Sequence, residues 1–156
     1  MQETGGYKAL KVLFAALLAG QSIFAVLSVY FAMQRKLELH RHDLDNVFLI
    51  VLAIVATICV LAGNKIFKQK TESLKNQQRP LTERFSEYRT ASIIRWALLE
   101  GPCLFGIICL MLTANYYFLI VISILLLLFI STAPKKNKVC SDLGINANDL
   151  DAITIV

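Results

Sequence analysis

The segment from Ala91 to Thr113 constrains this chain more than any other part of it. Cysteines aside, its only ionisable side chains are Arg95 and Glu100. An apolar segment of this length predicts a helix that spans a membrane. Glu100 then lies near the middle of the membrane, where a carboxylate costs about 2.5–3.5 kcal/mol on insertion scales. We therefore expect Glu100 to face protein or water, to stay protonated, or to have a function.

The composition of the whole chain agrees with a membrane location. Of the 156 residues, 56% are hydrophobic and only 17% are charged, and the mean hydropathy is +0.60. This profile is typical of an integral membrane protein and leaves no room for a sizeable soluble domain. The net charge of +5 reports topology rather than nucleic-acid binding, because the sequence contains no recognition module for nucleic acid.

The hydropathy pattern predicts an all-α fold with four membrane helices. They are expected at about 9–33, 46–64, 91–113 and 116–133. The chain then divides into a first helical hairpin at 1–66, a basic amphipathic connector at 67–90, a second hairpin at 91–134 and a flexible cytoplasmic tail at 135–156.

Basic residues predict the orientation. With four spans, twelve Lys and Arg residues fall on the side that holds both termini and the connector, and three fall on the other side. The positive-inside rule places both termini in the cytoplasm, and we expect a multi-pass protein of the bacterial inner membrane. Arg95 lies just inside the cytoplasmic end of its helix, and Tyr88, Arg95 and Trp96 are expected to anchor that end at the membrane interface.

An internal match predicts that the chain is a duplicated hairpin. Residues 7–25 align with residues 88–106 at a constant offset of 81, with six identical positions in the 19-residue window. Phe48-Leu49-Ile50-Val51 recurs as Phe118-Leu119-Ile120-Val121 at an offset of 70. Two spans per repeat keep both copies in one orientation, so the two hairpins form a parallel repeat about an axis along the membrane normal. Ala19 then occupies the place of Glu100.

A local family resemblance covers about residues 46–110. Leu99-Glu100-Gly101-Pro102-Cys103-Leu104-Phe105-Gly106 resembles the carboxylate helix of rotary ATPase proteolipids (subunit c), and Arg79-Pro80 resembles the polar-loop motif that precedes that helix. The resemblance implies that Glu100 corresponds to the carboxylate that binds a proton or a sodium ion in those proteins.

Two functions remain open from the sequence. In the first, the protein has a structural, assembly or partner-binding role, and Glu100 forms an interhelical hydrogen bond. In the alternative, it handles protons or cations, with Glu100, Gln21 and the carbonyl of Leu98 as the candidate site. Pro102 has no N–H to bond that carbonyl, and Gly101 with Pro102 is expected to kink the helix.

Other functional classes find no support in the residues. No nucleophile has a base and an orienting group at a recognisable spacing, so we expect no enzyme, no catalytic residue and no cofactor. The four cysteines lack metal-ligand spacing, so no metal site is expected. The expected partners are the lipid bilayer and either further copies of the chain or another membrane protein, but not nucleic acid.

Overall fold

A computed structural model describes residues 6–35, 42–75, 79–145 and 150. Within these residues the fold is all-helical, with 91% helix and no strand. The helices are α1 (Gly6–Arg35), α2 (His42–Lys75), α3 (Leu81–Thr113), α4 (Tyr117–Ser131) and α5 (Lys136–Leu143). The predicted all-α class is confirmed.

Three of these helices are long and apolar enough to cross a membrane. They are α1, α2 and α3, and a fourth span is reached when α4 and α5, which meet at 68°, are counted as one bent span. By itself α4 has 15 residues and is about 22 Å long, against about 30 Å of hydrocarbon in a typical bilayer. The structure therefore fits a membrane protein with three or four spans.

The boundaries of the central helices differ from those predicted. α2 continues beyond residue 64 to Lys75, and α3 begins at Leu81 rather than at residue 91. Most of the predicted connector at 67–90 is thus helical and extends α2 and α3. The physical reason lies in the sequence of the connector, which lacks a helix-breaking residue until Pro80, and Pro80 is the N-cap of α3.

α3 is the central helix, because α1, α2 and α4 all pack along it. The start of α1 touches the start of α3, where an added Cβ on Gly6 would lie 2.9 Å from Phe85, and Phe14 packs on Trp96 with ring centroids 5.2 Å apart. These pairs are 79 and 82 residues apart in sequence, so α1 and α3 run in the same direction and almost in register. Phe67 packs on Tyr88 and Asn115 bonds Asp45, so α2 is antiparallel to α3.

The two predicted hairpins do not pack alike in the described residues. α3 and α4 pack along each other, whereas α1 and α2 are not a closely packed pair and both lie against α3. The duplication itself stays a prediction from the sequence.

The core consists of two apolar clusters separated along the bundle. The first core surrounds Phe14, Trp96 and Phe129, and the second surrounds Leu52 and Ile122. Four of the buried residues of α1 recur every seven positions, at Tyr7, Phe14, Gln21 and Ser28. Gln21 lies between the part of α1 that joins the first core and the part that joins the second.

The predicted flexible tail contains a packed helix. Residues 136–143 form α5, with Val139 and Leu143 completely buried in the first core. Arg84 donates hydrogen bonds to the carbonyls of Leu74 and Leu143, and these bonds tie the end of α5 to α2 and α3. The rest of the predicted tail, apart from residues 144, 145 and 150, lies outside the described residues.

Candidate functional site

One side of α3 is left open by its neighbours. Its exposed residues follow one another at intervals of three, four and seven positions, which places them on one face of the helix. This open side of α3 consists of Ile94, Ala97, Gly101, Ile108 and Leu112. α1 and α2 border it, and they are not closely packed against each other within the described residues.

The middle of the open side is formed by small residues. Ala97 and Gly101 are both exposed and lie four residues apart. A Cβ added to Gly101 would meet no atom within 4 Å, so the space above the helix backbone is empty there. In membrane proteins two small residues at this spacing allow a second helix to approach closely. The open side therefore has the shape of a helix-docking surface.

Glu100 lies at the border between the open side and α1. It shares a side of α3 with Trp96 and Cys103, which are four and three residues away, and Trp96 packs on Phe14 of α1. The Glu100 side chain is half-buried. No hydrogen bond or ion pair joins its carboxylate to another residue in the part of the chain that the structure describes. A carboxylate without a partner thus lies next to a surface of small residues.

The side chains of Leu98 and Glu100 do not lie next to each other. The Leu98 side chain packs against α2, where its Cβ and Cδ1 lie 3.5 Å from the position of a Cβ on Gly63. Residues two apart on a helix point in different directions, so Leu98 and Glu100 project from opposite sides of α3. The predicted trio of Glu100, Gln21 and Leu98 is therefore not one cluster.

Gly101 and Pro102 do not interrupt the helix. α3 is continuous from Leu81 to Thr113, with Pro102 buried inside it. The predicted kink stays a prediction, but Pro102 still removes the N–H that would bond the carbonyl of Leu98.

Gln21 is a buried amide with no partner. Its side chain is 1% exposed, and neither Nε2 nor Oε1 has a hydrogen-bond partner in the described structure. The register of α1 against α3 places Gln21 at the level of residues 100–103, close to the level of Glu100. A buried amide without hydrogen bonds costs about 1–3 kcal/mol, so this layer of the bundle is polar and unsatisfied.

Two of the three predicted interface anchors are buried in the bundle. Trp96 is 1% exposed and Tyr88 2% exposed, so both pack inside the bundle and do not face lipid headgroups. Trp96 packs against Phe14 and Phe129, which stack on each other, and these aromatic contacts of the first core explain its burial. Arg95 is half-buried, and its guanidinium carbon lies 4.9 Å from the ring centre of Phe67.

The end of the bundle that holds α5 contains polar contacts that sequence reasoning missed. Tyr88 Oη donates to Asp142 Oδ2 at 3.5 Å, and Tyr7 Oη donates to the carbonyl of Pro134 at 3.0 Å. Burial raises the pKa of the Asp142 carboxyl above its ordinary value, while Lys138 and Lys75 oppose that shift. These residues are distant in sequence and meet only in the folded chain, so no local sequence motif predicts their contacts.

Comparisons with protein-family models, with curated proteins and with solved structures find no match to this chain. Within the described residues, no group of three or more His, Cys, Asp or Glu side chains is placed to hold a metal ion. The unpartnered Glu100 carboxylate and the open side of α3 remain the structural features that point to a function.

Proposed function

We propose that this protein is an integral membrane protein of the assembly or partner-binding type, and that it binds another membrane-spanning helix on the open side of α3. The observation that carries the proposal is the position of Glu100. Its carboxylate has no partner among the described residues and borders the small residues Ala97 and Gly101.

Lipid hydrocarbon chains cannot form a hydrogen bond or an ion pair with the Glu100 carboxylate. A carboxylate within a membrane helix is costly unless it pairs with a donor or reaches water, and lipid tails offer no donor. A helix on Ala97 and Gly101 could approach closely enough to bring a donor to Glu100, and such interhelical hydrogen bonds contribute about 1–2 kcal/mol in model peptides. Binding of a protein helix therefore explains both the carboxylate and the small residues beside it.

The proposed setting is the bacterial inner membrane, with both termini in the cytoplasm. The support is the twelve-to-three distribution of basic residues, counted for four spans. Impermeant thiol labelling of Lys70→Cys and Tyr117→Cys should report opposite sides of the membrane. Labelling of both positions from one side would reject this orientation.

Site-specific photo-crosslinking in native membranes tests the proposed function. A photoreactive phenylalanine analogue replaces Ile108, a large residue on the open side, or, as matched controls, Ile54 of α2 and Ile124 of α4. The three residues are similarly exposed, at 53%, 54% and 53%. We expect protein adducts of discrete mass from Ile108 and none from the two controls.

Two results would count against partner binding. One is the absence of protein adducts at Ile108 when the folded protein is present in the membrane. The other is an equal yield of the same adducts at all three positions, because that pattern indicates unspecific collision rather than a binding surface.

A second candidate function is proton or cation handling, and the unpartnered amide of Gln21 favours it. A bound water or cation would satisfy that amide at the level of Glu100. In reconstituted vesicles, Glu100→Gln should then keep the fold and abolish ion movement that depends on pH. Equal ion movement with wild type and Glu100→Gln across a range of pH would remove this candidate.

A further inference from the structure

We infer that the partner helix carries a cationic side chain, lysine or arginine, at the depth of Glu100. The inference rests on the proposed function and adds the chemistry of the partner to it. Four observations support it: the depth of Glu100, the position of the chain's own cations, the effect of pairing two copies, and the contrast with α1.

The depth of Glu100 fixes where the cation must lie. Glu100 precedes the end of α3 at Thr113 by 13 residues, which corresponds to about 20 Å along the helix. A basic side chain at the end of a partner helix would remain among the headgroups. The partner must therefore hold its cation well inside its own apolar segment, where such a residue is rare and itself needs an acidic partner.

Arg95, the cation nearest to Glu100 along α3, does not neutralise it. Arg95 projects toward α2, because its guanidinium lies over the ring of Phe67. Glu100 lies on the α1 side of α3, as its spacing from Trp96 indicates. The two ion pairs among the described residues, Lys68–Glu72 and Arg79–Glu87, involve other carboxylates in the cytoplasmic extensions of α2 and α3.

A second copy of this chain is a poor occupant. Two copies inserted in the same orientation and meeting on the open side of α3 would bring two Glu100 carboxylates to the same depth. That pairing adds a second acidic group and supplies no cation. A different protein with a basic residue at this depth gives charge complementarity, and ion pairs with hydrogen bonds are stronger than hydrogen bonds between neutral groups.

α1 repeats the small residues without the carboxylate. Ala16 and Gly20 have the same spacing as Ala97 and Gly101, and a Cβ on Gly20 would also meet no atom within 4 Å. α1 has Ala19 where α3 has Glu100. α1 and α3 therefore have the same pair of small residues, and only α3 has an acidic residue beside them.

Binding of synthetic peptides in vesicles tests the inference. The probes are two labelled membrane-spanning peptides of leucine and alanine, identical except that one has lysine and the other leucine about 20 Å from the end that aligns with Thr113. Their binding to the purified full-length protein is followed by energy transfer. We expect the lysine peptide to bind wild type about tenfold more tightly than the leucine peptide.

Variants assign the preference to the acidic residue. Glu100→Gln keeps the size and polarity of the side chain and should abolish the tenfold preference, and Glu100→Leu should do the same. Gly101→Leu should weaken binding of both peptides, because its side chain fills the empty space. Gly20→Leu is the matched control and should bind as wild type does.

Three outcomes would overturn the inference. The first is equal binding of both peptides by wild type, and the second is no binding of either. The third is self-association of the labelled protein through the open side of α3, detected as energy transfer that Gly101→Leu abolishes. The proposed function is decided separately by crosslinking at Ile108. Specific adducts there, combined with no preference for lysine, would leave partner binding standing and remove the cation.

Discussion

Two glycines on α3, Gly106 and Gly101, are five residues apart and have opposite surroundings. A Cβ on Gly106 would lie 3.1 Å from Ile122 of α4 and 3.1 Å from Leu52 of α2. A Cβ on Gly101 would meet nothing within 4 Å. Gly106 lets helices of the same chain approach closely, whereas the equivalent space at Gly101 is empty. α3 therefore has a covered side that packs against other helices of the chain and an open side that makes no such contacts.

Polar side chains also differ in their surroundings between two parts of the bundle. Arg84, Tyr88 and Asp142 lie where α5 meets α2 and α3, and all three form hydrogen bonds that tie these elements together. Gln21 and Glu100 lie deeper in the bundle and form none with the described residues. Of these two groups, the Glu100 carboxylate borders the open side of α3, where a partner could reach it. Nε of Arg95 and Nε1 of Trp96 are also buried without a hydrogen-bond partner in the described structure.

The largest effect is expected on the covered side. Gly106→Leu should lower the free energy of unfolding by about 1–3 kcal/mol or more, because the new side chain must displace Ile122 and Leu52. Thermal unfolding of the purified protein in detergent, followed by circular dichroism, measures this change. Gly101→Leu is the control and should unfold at nearly the wild-type temperature. Equal destabilisation by both substitutions would refute the difference between the two glycines.

A smaller effect of opposite sign is expected at Gln21. Gln21→Leu removes a buried amide that lacks hydrogen bonds, so it should raise the free energy of unfolding by about 1 kcal/mol. The same unfolding measurement tests it. Loss of stability would instead indicate that a bound water or cation satisfies the amide, and it would favour the ion-handling candidate.

Gly101→Ala should leave the isolated protein as stable as wild type or stabilise it by up to about 1 kcal/mol. Alanine has a higher helix propensity than glycine, and its methyl group meets no neighbouring atom. Gly106→Ala is the matched comparison and should be less stable than Gly101→Ala. A clear loss of stability in Gly101→Ala would mean that the open side of α3 is covered within the chain itself.

The smallest effect concerns pH and the α5 contact. Because burial raises the pKa of Asp142, the folded state binds a proton more readily than the unfolded state does. The wild-type protein should therefore gain stability relative to Asp142→Asn as the pH falls from about 7 to about 4. Lys75, Lys138, Arg95 and Tyr88 surround this carboxyl and reduce the effect.

The difference in melting temperature between the two pH values measures this effect. Glu83→Gln is the control, since Glu83 is exposed in the first turn of α3. The same pH dependence in wild type and Asp142→Asn would contradict the prediction.

The sequence was sufficient to predict the helical class and the approximate helices, because hydropathy is a local signal. The role of Glu100 stays a prediction. The spacing of Ala97 and Gly101 was also visible in the sequence. The exposure of these two residues was not visible, because it depends on α1 and α2 packing against α3 rather than against each other. The burial of Trp96 and the docking of α5 likewise depend on contacts between distant segments, such as Phe14 with Trp96 and Arg84 with Leu143.

Binding of a partner to the open side of α3 is tested most directly by the size of the native complex. Wild type, Gly101→Leu and Gly20→Leu are solubilised from native membranes in a mild detergent and compared by native mass measurement. We predict that wild type and Gly20→Leu are found in a complex heavier than the 17.5 kDa chain, and that Gly101→Leu is released from it. The same mass for all three proteins would contradict the claim.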